Sequence, residues 1–283
     1  MTYSVVIPAY NEASFIGLTL DSLVSQTILP RQVVVVNDNS TDNTPEIVTA
    51  YMSRHAFISL VNLMSKAVHL PGSKVIRAFD KGLETLAGDF DIIVKLDADL
   101  ILPTNYFETV LNVFESDEKT GMAGGFCYIE KNGEWVLENL TDKDHIRGAL
   151  KAYRKECFEQ IGGLRPAMGW DTVDELLAKF HGWKIVTIPD LKVKHLKPTG
   201  TNYDKAARYK QGEAFYTLGY GFWITAVASA KLAMMKKKPV LFFDYIRGFF
   251  RGKSTGKQML VNEEQVKFIR RYRWKKIKDK IFG

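Results

Sequence analysis

Between residues 3 and 96, short apolar runs rich in β-branched residues alternate with amphipathic stretches, and this alternation restricts the fold more than any other feature. Tyr3–Pro8 and Gln32–Asn37 (QVVVVN) read as buried strands, Ile58–Leu63 as a weaker one and Asp91–Leu96 (DIIVKL) as a fourth. Between them, Phe15, Ile16, Leu20, Leu23 and Val24 recur at helical spacing within Glu12–Ser25. Thr44-Pro45 opens a second helix, and Lys74–Ala87 forms a third that Gly88 ends. This spacing implies right-handed βαβ units, hence an α/β fold with a mainly parallel sheet and helices on both faces. Ligands of such sheets bind beyond the carboxyl ends of the strands. Three polar clusters fall there: Pro8-Ala9-Tyr10-Asn11-Glu12, Asn37-Asp38-Asn39-Ser40 and Asp97-Ala98-Asp99.

After about residue 120 the pattern is mixed. Met122–Glu130 and Trp135–Leu137 pair as a predicted hairpin around Asn132-Gly133, Asp171–Phe180 is helical, and Trp183–Ile188 is another strand. Hydrophobic residues at 46% and charged residues at 25% exclude a disordered chain. Cys127 and Cys157 are too few for a disulfide framework and lack the CxxC spacing of a metal site, which points to a reducing compartment. The start, MTYSVVIPAYNEA, lacks the pattern of a secretory signal, so the chain is expected on the cytoplasmic side. Residues 192–283 hold 22 Lys+Arg against 6 Asp+Glu, while residues 1–191 hold 17 against 26. An acidic body with a basic tail differs from the uniform basicity of a nucleic-acid-binding domain, and no nucleic-acid partner is expected.

Asp97 and Asp99 are two apart at a strand end, so strand alternation turns both to one side, where they can share a hard divalent cation. Such a cation neutralises phosphate charge. Asp38 can accept hydrogen bonds from a base or ribose, or cap the turn it begins. Asn11 and Glu12 can equally be helix-start residues. Arg77 and Lys81 share a helical face that can hold a phosphate or simply be solvated. Asp171, Asp174 and Glu175 are neighbours on one helical face, suited either to the helix amino terminus or to taking a proton from an acceptor hydroxyl. His195, after a strand-like run, can complete a carboxylate–imidazole metal shell. His55, His69, His145 and His181 have no partner assignable from sequence.

Taken in order, VVIPAYNE (Val5–Glu12), VVVVNDNSTDNT (Val33–Thr44), KLDADL (Lys95–Leu100), the stretch Gly162–Ile185 and KVKHLKPTG (Lys192–Gly200) resemble the family 2 glycosyltransferases, the inverting GT-A group. The resemblance covers about 200 residues. It implies a GT-A-like fold whose first, Rossmann-like half binds a nucleotide-diphosphate-sugar, UDP-linked by preference. Pro8, Ala9, Tyr10 and Glu12 would line the base and ribose pocket, and Asp38 would bond the base. Asp97 and Asp99 match the D-x-D motif that binds Mn²⁺ or Mg²⁺, with Asp99 as the direct ligand. Arg77 matches a basic residue of the family's helix before that motif, and Asp80 stands where asparagine is common. Asp171 inherits the general-base role. The family's usual Glu-Asp pair is Trp170-Asp171 here, which keeps Asp174 and Glu175 as rivals. His195 matches a histidine that approaches metal and diphosphate.

Residues 214–230 (AFYTLGYGFWITAVASA) carry no charge but fall short of the span of about 20 needed to cross a bilayer. Lys231, Lys236-Lys237-Lys238, VLFFDYIRGFF and the closing KFIRRYRWKKIKDKIFG interleave aromatics with bases, as a helix lying among anionic lipid headgroups does. The alternative is packing on the catalytic body. The expected division is therefore a glycosyltransferase domain at 1–203, donor half 1–100 and acceptor half 101–203, and a helical membrane-association region at 204–283. The expected activity is sugar transfer to a lipid-linked or cell-surface glycan, peripheral on the cytoplasmic face of the membrane. The alternatives are transfer to polyprenyl phosphate and a non-catalytic nucleotide-sugar-binding subunit.

Overall fold

The computed structural model describes residues 1–64, 72–138, 144–197 and 208–282. Its first half is four parallel strands, β1 (Tyr3–Ala9), β2 (Gln32–Asn37), β3 (Ile58–Asn62) and β4 (Ile92–Leu96), in the spatial order β3-β2-β1-β4. Val33, Val34, Val35 and Val36 of β2 are all buried, as an unbroken β-branched run must be when both faces are covered. Full burial of such a side chain contributes about 1.5–3 kcal/mol as an upper estimate. The covering helices are α1 (Ile16–Val24) and α2 (Thr44–Met52), then α3 (Ser73–Leu83). Right-handed crossovers that step outward from β1 to β3 and then return to β4 put α3 on the opposite face from the other two. The predicted helix at Lys74–Ala87 stops earlier, with its C-cap at Glu84.

The second half extends the same sheet through β5 (Leu100–Ile101), β6 (Thr120–Lys131), β7 (Glu134–Leu137), β8 (Leu150–Arg154) and β9 (Lys184–His195), with α4 (Tyr106–Ser116), α5 (Lys155–Gln160) and α6 (Trp170–Phe180) between them. The order continues β4-β8-β6-β9-β5, with β7 hairpinned on β6 across Asn132-Gly133. Here antiparallel pairings (β4 with β8, β8 with β6, β9 with β5) mix with the parallel pair β6–β9. The strand expected at Trp183–Ile188 runs on to His195, and that length carries the histidine to the site.

Beyond Lys197 the described chain is helical: α7 (Lys210–Thr217), α8 (Gly221–Met235), α9 (Val240–Ser254) and α10 (Glu263–Phe282). The uncharged run 214–230 is not one element. Gly219 and Gly221 adopt φ of +75° and +73° and break it into α7 and α8. Among the described residues no helix is long and apolar enough to cross a membrane. The expected boundary at 203/204, the Pro198–Gly200 end of the KVKHLKPTG motif and His69 lie outside the described residues.

Candidate active site

The parallel register sets Ala9 opposite Asn37, so the loops after β1 and β2 leave the sheet side by side. Asp38 donates its backbone N–H to the Ala9 carbonyl at 2.8 Å. Its side chain is buried and its Oδ1 has no hydrogen-bond partner. Capping of this turn falls to others: Asn37 Oδ1 accepts from Ser40 N–H at 3.0 Å, and Asp42 accepts from Ala13 and Thr44. A buried carboxylate oxygen without a donor costs free energy unless something supplies one. The Asp38 Oδ1 takes no part in capping this turn. Nearby, Tyr10 is 58% exposed, Pro8 is half-buried and Ala9 buried. Both Glu12 carboxylate oxygens accept from Lys197 Nζ, at 2.6 and 2.8 Å. Burial raises the Glu12 pKa against that pull.

The helix α3 follows β3, so its amino end lies at the same sheet edge, anchored by Ser73 Oγ donating to the Pro166 carbonyl at 2.6 Å. Arg77 is exposed in its second turn, whereas Lys81 is paired with Glu84 at 2.8 Å. Their shared face thus offers Arg77 to an anion and not Lys81.

Among the described residues, Asp97, Asp99 and His195 each present a ligand atom within 4.8 Å of the others. Two tethers produce this: β5 pairs Leu100 with His195, and Leu196 N–H donates to the Asp99 carbonyl at 2.9 Å. His195 Nε2 lies 3.4 Å from Asp99 Oδ2, and Nδ1 lies 3.1 Å from Glu138 Oε2, which Arg147 also meets at 3.3 Å. Burial disfavours the imidazolium, but these two carboxylates outweigh it and lift His195 to about 9. Asp97 pairs with the buried Lys95, which also donates to the Gly148 carbonyl at 2.8 Å. A second convergence, Cys127 with Glu138 and His195, suits a cation less well. Burial holds the Cys127 thiol protonated, and a thiol is a poor ligand. Two carboxylates and an imidazole at a sheet edge fit a divalent cation such as Mn²⁺ or Mg²⁺.

The three acids of α6 have different surroundings. Asp174 receives Lys151 Nζ at 2.8 and 3.0 Å, Tyr153 Oη at 2.7 Å and the Glu175 N–H at 2.6 Å, and is 1% exposed. Glu175 accepts from Ile146 N–H at 2.9 Å and meets His145 Nδ1 at 3.1 Å and Lys151 at 3.3 Å. Burial opposes its ionisation, yet Lys151 and His145 draw it down to about 2. The Asp171 side chain is 36% exposed, and its nearest cation is His145 at 3.8 Å. Burial is again overcome, by His145 and Lys151, and Asp171 sits below the usual carboxylate range. Asp171 alone of the three is substantially open to solvent.

Gly148 and Trp170 join the two acidic centres. Lys95 Nζ and Lys151 Nζ lie 5.4 and 5.8 Å from the centre of the Trp170 ring. A side chain on Gly148 would meet that ring and come within 3.2 Å of Asp171 Cβ. Lys95, Glu138, His145, Lys151 and Lys197 escaped sequence reasoning. A lysine inside an apolar strand (IIVKL) was the visible sign of Lys95. The partners of His145 belong to a helix 26 and 30 residues away.

Residues 4–168 match the profile of glycosyl transferase family 2. The chain belongs to this family. As a glycosyl transferase it is 35% identical over 155 residues to the uncharacterized glycosyltransferase MG025 of Mycoplasma genitalium, covering 54% of this chain and 48% of that one. The chain spans about half the length of the curated relatives it matches. Among solved structures it resembles the mannosyltransferase PcManGT of Pyrobaculum calidifontis in complex with GDP-Man and Mn²⁺, at TM-score 0.58 and 19% identity, over 94% of this chain and 78% of that one. It also resembles GalNAc-T7 with UDP, GalNAc and Mn²⁺, at TM-score 0.63 and 14% identity, over 82% and 50%. These likenesses show the GT-A fold.

Proposed function

We propose that this glycosyltransferase moves a sugar, with inversion, from a nucleotide-diphosphate-sugar to a hydroxyl of a lipid-linked or cell-surface glycan. The convergence of Asp97, Asp99 and His195 at the carboxyl edge, where Asp38 holds out an unpartnered oxygen, carries this reading. Pro8, Ala9, Tyr10 and Glu12 line the nucleoside pocket and Asp38 takes a hydrogen bond from the base. Asp97, Asp99 and His195 hold Mn²⁺ or Mg²⁺, which when bound offsets the charge of the leaving diphosphate. Arg77 adds a second positive charge there, an electrostatic contribution. Asp171 accepts the proton of the acceptor hydroxyl, whose oxygen attacks the anomeric carbon from the side opposite the departing nucleoside diphosphate. Asp174 and Glu175 fix the buried Lys151 beneath it. The body at 1–203 carries this chemistry. The region 204–283 rests on anionic lipid at the cytoplasmic face of the membrane.

A donor panel tests the reading. Full-length protein with Mn²⁺ is mixed with UDP-, GDP- and dTDP-sugars and followed by thermal shift and nucleoside diphosphate release. A metal-dependent shift with one donor, abolished in Asp99→Ala, is expected, since a ligand stabilises the state it binds. UDP is the favoured nucleotide. A folded protein that no donor shifts in the presence of metal would overturn the proposal in favour of a non-catalytic subunit.

A further inference from the structure

A cavity of about 180 Å³ lies between α6, α8 and α10 and is lined in part by His145, whose Nε2 lies 3.8 Å from Asp171 Oδ2. Four bases line it: Lys179 from α6, Lys231 from α8, and Arg273 and Lys276 from α10. Two acids oppose them. Glu175 is already engaged by Lys151, His145 and the Ile146 N–H, and Asp144 is paired with Lys276. Among the described residues Lys179 has only Glu175, at 3.8 Å, as an anionic contact at ion-pair distance, and burial lowers its pKa. Arg273 Nε is buried with no hydrogen-bond partner. A pocket lined by four bases, one of them a guanidinium whose buried Nε meets no acceptor, suits an anion with several acceptor oxygens.

Its rim indicates where that anion comes from. On α8, Trp223, Val227, Lys231 and Met234 recur at steps of four, four and three, and so form one stripe. Trp223 is 70% and Met234 71% exposed, and Lys231 sits in this apolar row while also lining the cavity. Trp274, beside Arg273, is exposed as well. The basic pocket therefore lies beside the apolar surface of the appended helices, and its lining residue His145 is the neighbour of the proposed base.

We propose that this cavity binds a phosphate or diphosphate group of a membrane-anchored acceptor, and so places the acceptor's hydroxyl beside Asp171. The proposal rests on Asp171 as the base, and it deepens that reading by giving the acceptor a charge and an anchor. Phosphate oxygens take hydrogen bonds from Arg273 and Lys179, while the lipid chain leaves along the α8 stripe.

The test separates this site from the donor site by chelating metal. Full-length protein in EDTA is titrated calorimetrically with inorganic pyrophosphate. Metal-independent binding is expected, weakened at least tenfold in Arg273→Ala and Lys231→Ala and retained in Asp171→Asn and in the triple variant Lys236→Ala, Lys237→Ala, Lys238→Ala. Thermal unfolding confirms that each variant is folded, and Arg273→Lys, which keeps the charge, is expected to recover part of the affinity. No binding, or binding indifferent to Arg273 and Lys231, would sink the proposal. A second arm adds phosphatidylcholine vesicles containing phosphatidic acid. Displacement of pyrophosphate supports a lipid-borne phosphate, whereas vesicle binding that leaves pyrophosphate in place assigns the cavity to free phosphate and overturns the membrane-anchored acceptor. Should pyrophosphate bind as expected while Asp171→Asn keeps full transferase activity, the base assignment fails and the anion site stands.

Discussion

Asp171, Asp174 and Glu175 occupy one face of α6, but only Asp171 is substantially open, so substitution separates their roles. Asp171→Asn leaves packing intact and is expected to lower kcat by about 10²–10⁴-fold, the usual worth of a general base, with little change in donor affinity. Asp174→Asn instead strips the closest counter-charge from the fully buried Lys151 and is expected to cost about 3 kcal/mol of stability. Activity assays and denaturant unfolding on the two variants check this; equal effects on both readouts would contradict the division. A second residue-scale prediction concerns Asp80, whose carboxyl is pushed up to about 6, chiefly by burial and then by Glu84. Between the unfolded value near about 4 and that folded value, the native state keeps a proton that the unfolded chain has lost. Stability contributed by Asp80 therefore falls as pH rises through this window. Asp80→Asn should raise Tm at pH 7 and leave it unchanged near pH 4. An unchanged Tm at pH 7 would refute the assignment. The residues legible in the sequence were those attached to strand ends, Asp38, Asp97 and Asp99, because alternation and topology alone decide where they point. Glu138, His145 and Lys151 were not legible. Each takes its place at the candidate site only through a partner brought from a distant segment.

The same contrast holds for whole elements. β2 was readable residue for residue because VVVV between a proline–arginine pair and a polar turn admits little else. The break at Gly219 and Gly221 was not, since hydropathy registers the apolar run 214–230 but not the backbone angles of two glycines within it. Helix crossing is equally hidden. A side chain on Gly212 of α7 would overlap the Tyr245 carbonyl of α9, and one on Gly248 of α9 would overlap the Tyr209 carbonyl. The two helices thus meet backbone to backbone, each requiring the other's glycine. Gly212→Ala would ordinarily favour a helix by about 1 kcal/mol. Here it must drive the helices apart, and a net loss of about 1–3 kcal/mol is expected, the range for overpacking a tight contact. Gly256→Ala is the control for a general glycine effect outside the crossing, because open space surrounds that position. Its φ of +60° makes some strain expected, so the informative comparison is in the packing of the appendage. Gly212→Ala should expose α9 to proteolysis while Gly256→Ala should not.

At the scale of the molecule, the asymmetry of charge becomes an asymmetry of surface. Phe222, Trp223, Val227, Met234 and Met235 of α8 and Val240, Phe243 and Phe250 of α9 are exposed, and Lys236-Lys237-Lys238 stands between the two helices. Other faces of these helices pack inward through Ile224, Tyr245 and Phe249. The packing expected of the tail is thus met on one side of these helices, and the exposed side is the one proposed to meet lipid. Exposed aromatics beside lysines match an interfacial surface, with rings at headgroup depth and each lysine adding about 1 kcal/mol of attraction to an anionic leaflet. Two forces of different range should then be separable. Full-length protein is expected to sediment with phosphatidylserine-containing vesicles and not with pure phosphatidylcholine. Substituting the three lysines by alanine should weaken binding by about a hundredfold at low salt, and the difference should shrink as salt screens it. Trp223→Ala with Phe243→Ala removes apolar contact that salt does not screen, so its loss should persist at high ionic strength. If both variants lost affinity with the same salt dependence, the attraction would be diffuse charge alone and the aromatic face would have to serve another partner.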